Sequence, residues 1–391
     1  MKPVPPDFPG ALMINDQEIE SVTEVLKARS PFRFYGPNMV WKTKTFEENF
    51  AKFIEVKHCL AVSSGTAALV VGLRALGIGL GDEVIVPANT FIASAGAVLE
   101  CGATPIFAEI DESLTIDAEK VEEKITPQTR AIMPVHFGGK SCNMDKLMNI
   151  SERYDLLMIE DCAQACGATF RGRKVGSFGH VGAFSFQINK IITTGDGGAV
   201  TTNNSELYTR AVRAHDHGCL RDEDGHLGLE QSPEAFFSTN YRMNELTAAV
   251  AVVQLSKIGL IISRMKLRKA SVIENLGTLR NFKISKIWDK EGDTGRNLIL
   301  IANTQERALS LVKELRELGF SAAIPYGGYA VYFHRQIRES KIWKNLPRRT
   351  AFKLCPYTED LLPRSVMIGI SPLFTEEHVD VLVRTIVKND K

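Results

Sequence analysis

The chain has 391 residues, 44% of them apolar and 24% charged, a balance that supports packed cores and argues against intrinsic disorder. Its 47 basic and 46 acidic residues leave a formal net charge of +1 with no long run of either sign, so neither nucleic acid nor an anionic membrane surface has electrostatic support as a partner. The length exceeds one typical core and suggests two domains.

The N-terminal stretch MKPVPPDFPGALMINDQE lacks the continuous apolar segment of a secretory signal. No stretch approaches the length of a membrane span, and the expected location is the cytoplasm. The seven cysteines are odd in number and sit mostly in apolar segments, which fits reduced thiols better than a disulfide framework. Ile19, Val22, Val25 and Leu26, and then Phe46, Phe50, Phe53 and Ile54, recur at helical spacing and predict two amphipathic helices packed on a sheet. From about residue 58 to about residue 203, strand-like runs alternate with helical stretches. That is the α/β pattern of a mostly parallel sheet covered on both faces.

Four loops of this region carry the residues of interest. In HCLAVSSGTAALVVGLRAL a strand, Cys59 to Val62, passes through Ser63, Ser64, Gly65 and Thr66 into a helix with Leu69, Val70, Leu73 and Leu76 on its apolar side. The free N–H groups at such a helix start hold phosphate. In VIVPANTFIAS, Phe91 follows the strand Val84 to Val86, where an aromatic ring covers a flat ligand. In LLMIEDCAQACGA, Asp161 ends the apolar run Leu156 to Ile159, and ligands of open α/β sheets collect at strand carboxyl ends. In AFSFQINKIITTGDGGAVTTN, Lys190 lies between the strand Val181 to Phe186 and a glycine-rich turn. Taken singly, Lys190 reads as a solvated loop lysine, and the position of Asp161 fits a helix N-cap as well as a ligand contact. Together, a phosphate cradle, an aromatic lid, an acid and an amine are the parts needed to hold pyridoxal 5'-phosphate.

Beyond the glycine-rich turn the pattern predicts a helix through Arg213, then a polar loop, HDHGCLRDEDGHLGLEQSPEAFFSTN, of a length usually associated with function or mobility. A long helix starts near Asn244 and passes Leu246, Val250, Val253 and Leu255. We place a large domain at 1–270 and a smaller α+β domain at 271–391, with strands NLILIA, SAAIPY and VMIGIS and helices Gln305 to Leu318 and Glu376 to Val387. His215, His217 and His226 with Asp216, Asp222 and Asp224 follow no zinc or calcium spacing, and Cys162 and Cys166 have no second pair, so no metal is expected.

The motifs SSGTAAL, GDEVIVPANTFIAS, GATPIFAEID, ITPQTRAIMPVHFGG, IEDCAQACGA, SFQINKIITTGDGGAV and NYRMNELTAAVAVVQL occur in one order along nearly the whole chain. In them it resembles the DegT/DnrJ/StrS-type sugar aminotransferases, which are fold type I pyridoxal phosphate enzymes. The resemblance implies that Lys190 anchors the cofactor and shuttles the proton. It implies further cofactor contacts from Gly65, Thr66, Phe91, Asp161, Ser185 and Gln164, the last beside the phenolic oxygen. Asn240 would be donated by the neighbouring subunit of a homodimer with shared active sites. The donor implied is glutamate or glutamine, and the acceptor is a keto-sugar, either nucleotide-linked or a keto-sugar acid, in aminosugar and surface polysaccharide (lipopolysaccharide) biosynthesis. The FRFYGP…WKTKTFE start and the DKEGDTG segment are similar to the branch that aminates 8-keto-3-deoxy-octulosonate. Tyr35, His136, His217 and His334 are candidate acceptor contacts.

Plainer roles exist for several of these residues: Gln164 as an exposed helix residue, Ser185 and Phe91 as core residues, and Asn240 as the cap of the helix just after it. Among competing functions, the family's pyridoxal-dependent sugar dehydratases carry His at the lysine position, and Lys190 argues against that reading. A non-catalytic cofactor-binding regulator retains no reason to keep both Lys190 and Asp161. An NAD oxidoreductase is weaker still, because GIGLGDE precedes a strand where a dinucleotide fingerprint follows one.

Overall fold

The structure is a computed structural model describing residues 3–228, 231–344 and 354–391. Its first helix, α1 (Asp16–Ala28), is fixed by a capping box in which Asn15 accepts from the Gln17 N–H and Glu18 accepts from the Asn15 N–H. The second, α2 (Lys42–Ile54), has no side-chain cap of its own. The buried carboxylate of Glu245 accepts the Lys42 and Thr43 N–H groups instead, at 2.6 and 2.9 Å.

The strands β1 (His58–Val62), β2 (Glu83–Pro87), β3 (Thr104–Ala108), β4 (Thr129–Ile132) and β5 (Leu157–Asp161) are linked through helices α3 (Gly65–Ala75), α4 (Ile92–Glu100), α5 (Ala118–Val121) and α6 (Met144–Arg153). A small hairpin, β6 (Thr169–Phe170) and β7 (Arg173–Lys174), precedes β8 (Val181–Ser185) and β9 (Gly198–Thr202). That hairpin replaces the helix expected between β5 and β8, since Gly167, Gly172 and Gly176 hold left-handed φ of 87°, 81° and 85° that interrupt a helix. The sheet runs β1-β9-β8-β5-β4-β2-β3. Only β9 is antiparallel to its neighbours, because the chain turns straight back from β8 through the Lys190 loop.

The helices α7 (Ser205–His215) and α8 (Glu245–Leu276) lead to a four-stranded antiparallel sheet. Its strands are β10 (Phe282–Ile284), β11 (Asn297–Ala302), β12 (Ala322–Ala323) and β13 (Ser365–Gly369), with α9 (Gln305–Glu317) and the C-terminal helix Glu376–Asn389 packed around them. One apolar cluster joins the two halves: Phe46, Phe50, Phe184 and Phe186 belong to the same core as Leu298, Val366 and Ile386. The helix α8 crosses the 270/271 boundary without a break.

Two sequence expectations change here. The helix α1 packs on α8 and not on a sheet, while α2 meets both α8 and β1. Lys257 and Gln254 of α8 both reach Glu18 of α1 at 2.7 Å, a partner the period of α1 does not disclose. In addition, α8 is long and apolar enough to cross a membrane by length and composition. Its apolar length is instead used inside the protein, against α1, α2 and the C-terminal helix.

Candidate active site

The carboxyl ends of β1, β5 and β8 and the start of β9 converge. Asp161 and Ser185 are the last residues of neighbouring parallel strands, and Gly198 pairs with both Val62 and Ser185. The approach is tight: a Cβ on Gly198 would stand 2.3 Å from the Ser64 carbonyl oxygen, and one on Gly65 would stand 2.5 Å from the Ser185 Cβ. Only glycine permits it.

A cavity of about 310 Å³ opens at this point. Gly65, Thr66, Phe91, Asp161, Gln164, Ser185 and Lys190 all line it, so the structure brings together seven of the eight residues expected at the cofactor. Ser64 caps α3 by accepting the Ala67 N–H at 3.0 Å, and the N–H groups of Gly65 and Thr66 have no acceptor within the helix. Among the described residues Lys190 is the only cation on this wall, so an anion there meets helix N–H groups and hydroxyls.

Asp161 is buried. It accepts from the Ser94 hydroxyl at 2.8 Å and from the Ala163 N–H at 3.1 Å, and among the described residues it forms no ion pair. Burial raises its pKa above the usual carboxylate value, with the two hydrogen bonds and the Lys190 charge opposing. No helix follows it, so the N-cap role does not apply. Burial lowers the proton affinity of Lys190; Asp161 opposes that shift and the Arg296 guanidinium adds to it.

Gln164 also stands outside any helix. Its amide donates to the Tyr326 hydroxyl at 2.9 Å, and its oxygen accepts the Gly138 N–H at 3.4 Å. Phe91, at the N-cap of α4, is 57% exposed and lies at the cavity mouth.

The eighth residue, Asn240, is exposed and lines no part of this cavity. Its side chain accepts the Arg242 N–H at 3.0 Å, while the cap of α8 is Asn244. The four candidate acceptor contacts also lie outside the cavity walls. His136 is corrected outright: it is fully buried, with Nε2 3.0 Å from Glu160 and Nδ1 accepting the Cys142 N–H. The Glu160 carboxylate accepts three further N–H groups, from Gly176, Phe178 and Gly179, at 2.7–2.8 Å. The cluster of His136, Glu160 and Cys162 therefore uses its donors and acceptors to hold the β5–β8 crossover.

Tyr35 stacks on His226 at 4.9 Å, and Arg221 covers Phe34 at 4.4 Å while pairing with the buried Asp216. The polar loop is thus pinned to the segment before α2. His217 is half exposed at a left-handed φ of 58°, and His334 precedes the short helix Arg335–Arg338.

Sequence reasoning missed Ser94, Asp7, Arg296 and Tyr326. The last three surround a second cavity, of about 200 Å³, that shares Lys190, Asn189, Gln164 and Phe91 with the first. No local pattern marks them.

Residues 13–387 match the DegT/DnrJ/EryC1/StrS aminotransferase family, and the chain belongs to it. GDP-perosamine synthase of Caulobacter vibrioides is 46% identical over 217 residues, 54% of this chain and 56% of that protein. The L-glutamine:2-deoxy-scyllo-inosose aminotransferase of Micromonospora echinospora is 38% identical over 282 residues, 70% of this chain and 65% of that protein. The chain thus spans less than two thirds of the length of these curated relatives. The crystal structure of 3-amino-5-hydroxybenzoic acid synthase superposes with a TM-score of 0.87 at 28% identity, over 99% of this chain and 98% of that one. The fold is that of the fold type I aminotransferases.

Proposed function

We propose that this chain is a pyridoxal 5'-phosphate-dependent aminotransferase that moves an amino group from glutamate or glutamine to a ketone of a sugar or sugar-like ring. One observation carries the reading: an amine of lowered proton affinity and a buried carboxylate without an ion-pair partner among the described residues face one cavity whose wall is a helix N-terminus.

The residues fit the cofactor. Gly65, Thr66 and Ser185 would hold its phosphate, Asp161 its ring nitrogen, Gln164 its phenolic oxygen, and Phe91 would cover the ring. When bound, pyridoxal 5'-phosphate supplies an aldehyde carbon for primary amines and a protonated ring that takes up the electron pair left by a departing proton. Asp161 would hold that ring nitrogen in its protonated form, because the attraction of its carboxylate for the ring charge is little screened where it is buried. Lys190, neutral more often than a solvated lysine, acts as nucleophile, and its Nζ then carries the proton that leaves the donor's Cα. Ser94 fixes the Asp161 carboxylate in orientation.

The acceptor class follows the names of the relatives, a nucleotide-linked sugar in one and an inosose in the other. The motif likeness adds a keto-sugar acid. We place the enzyme in the cytoplasm, in keeping with seven unpaired cysteines. The test is a half-reaction: glutamate or glutamine alone shifts the visible absorbance of the bound cofactor, and a keto-sugar restores it with release of an aminosugar. Recovery of a deoxygenated ketone in place of the aminosugar would favour the dehydratase reading.

Gly65→Ala is expected to weaken cofactor binding by at least about tenfold, ~1.4 kcal/mol, since its methyl group must displace Ser185 from the phosphate cradle. Absorbance titration of the cofactor-free protein measures it. Unchanged affinity would move the phosphate elsewhere.

We also propose a homodimer in which Asn240 serves the partner's phosphate, in line with its exposure and its place outside its own chain's cavity. Lys190→Ala and an inactivating Asn240 variant, refolded together, are then expected to recover activity, because one site of the hybrid is intact. No recovery from a hybrid verified by differential tags would assign Asn240 to its own chain.

A further inference from the structure

We infer that Arg296 is a carboxylate-binding subsite for a substrate entering the Lys190 cavity, and that Asp7 of the N-terminal segment occupies this subsite until a substrate carboxylate takes its place. The second cavity adjoins the first through Lys190, Asn189, Gln164 and Phe91, and Arg296, one residue before β11, lines it beside Asn189. Arg296 is 8% exposed. Its guanidinium forks the Asp7 carboxylate, Nη1 to Oδ1 and Nη2 to Oδ2, and Nη2 also donates to the Asn189 carbonyl at 3.2 Å. A bidentate arginine–carboxylate pair is the geometry by which proteins recognise carboxylate ligands, and here it forms on the wall of a cavity that also holds the reactive amine.

The two partners differ in how firmly they are held. Arg296 immediately precedes β11, an inner strand of the antiparallel sheet, and its backbone carbonyl accepts the Ile370 N–H at 3.1 Å. Asp7 sits in a segment with Pro3, Pro5, Pro6 and Pro9 that has no regular structure before the short 3₁₀ turn Ala11–Met13. Its carboxylate otherwise meets the Ser321 hydroxyl at 3.5 Å and packs over Gly369, where a Cβ would stand 2.5 Å from Cγ. The segment is tied to the catalytic loop by the Gly10 N–H to the Lys190 carbonyl at 3.4 Å. Both hydrogen bonds are near the limit of a useful contact.

A buried arginine left without a carboxylate is costly, and a ligand carboxylate restores the pair that Asp7 gives up. Asp7 therefore keeps Arg296 paired in the free protein and gives way to a ligand acid. The ligand class is a carboxylate-bearing substrate, from either of two sources: the amino-acid donor or a sugar-acid acceptor. The inference rests on the proposed amino transfer for the meaning of the site; carboxylate binding itself is measurable without turnover.

The experiment is calorimetric titration of the protein as isolated with glutarate, which has neither amine nor ketone, and in parallel with gluconate. Asp7→Asn is expected to bind at least one of the two about tenfold or more tighter than the parent, because the competing carboxylate is gone. Arg296→Gln is expected to bind neither. A gain confined to glutarate assigns the subsite to the donor, and a gain confined to gluconate assigns it to a sugar acid. Asp7→Ser repeats the measurement should the asparagine variant fold poorly. Folded Asp7 variants with parental affinity for both probes, or binding retained in Arg296→Gln, would overturn the subsite. Amino transfer that fails while the Asp7 response persists would count against the proposed function and leave the subsite standing.

Discussion

Replacing Lys190 by alanine is expected to lower kcat by more than about 10³-fold, because the covalent anchor and the proton carrier are lost together. Borohydride treatment of the parent is expected to fix the cofactor to the peptide containing Lys190, read by mass spectrometry. The informative competitor is Lys140. Its burial and the nearby Lys269 charge lower its pKa to about 7, so proton affinity alone does not set Lys190 apart from it. Access separates the two. Lys140 is fully buried, donates to the Ser113 carbonyl at 3.0 Å and to the Ser285 hydroxyl at 2.8 Å, and lines neither cavity. An adduct on Lys140 or on any other lysine would sink the assignment of Lys190.

Asp161→Asn is expected to lower activity by about 10²–10³-fold, since an amide does not hold the ring nitrogen protonated. It is also expected to stabilise the cofactor-free protein. Burial raises the Asp161 pKa above its ordinary 3.8, so between 3.8 and the raised value the folded protein binds more proton than the unfolded chain, and stability falls as pH rises through that window. Asparagine has no such dependence. The melting temperature of the cofactor-free variant should therefore pull ahead of the parent's as pH is raised from below 4 to neutrality, by about 1 °C for each kcal/mol in a chain of this length. Adding the cofactor should shrink or reverse the gap, because the parent alone gains a charged partner for the buried carboxylate. Near-normal turnover in the variant would show that Asp161 only shapes the Ala163 turn.

The complement of the site that was legible in the sequence shares a simple property. Gly65, Thr66, Asp161, Ser185 and Lys190 lie at strand ends or within a few residues of them, where strand length and turn chemistry place a residue at the sheet edge regardless of distant contacts. Gln164 was placed by resemblance, and its actual holders, Tyr326 and Gly138, come from distant segments. His136 shows the reverse. It stands in the sequence as a candidate acceptor contact, yet the carboxylate of Glu160 and the N–H of Cys142 take both ring nitrogens in the buried interior. A hydrogen-bond partner two dozen residues away leaves no periodic trace.

Hydrophobic period and glycine placement by themselves determined the α/β class, the alternation of strands and helices from β1 to β5, and the strand-end positions of the residues around Lys190, while the odd cysteine count pointed to free thiols. They did not determine which distant segments close the site. That was decided by the shared core, in which α8 and the aromatic residues of α2 and β8 pack against the antiparallel sheet and so fix β11 beside the Lys190 loop. Arg296, Tyr326 and Asp7 reach the amine only through that packing. A side-chain pattern reports which face of an element is apolar, whereas the identity of the face it meets depends on the close packing of the whole interior.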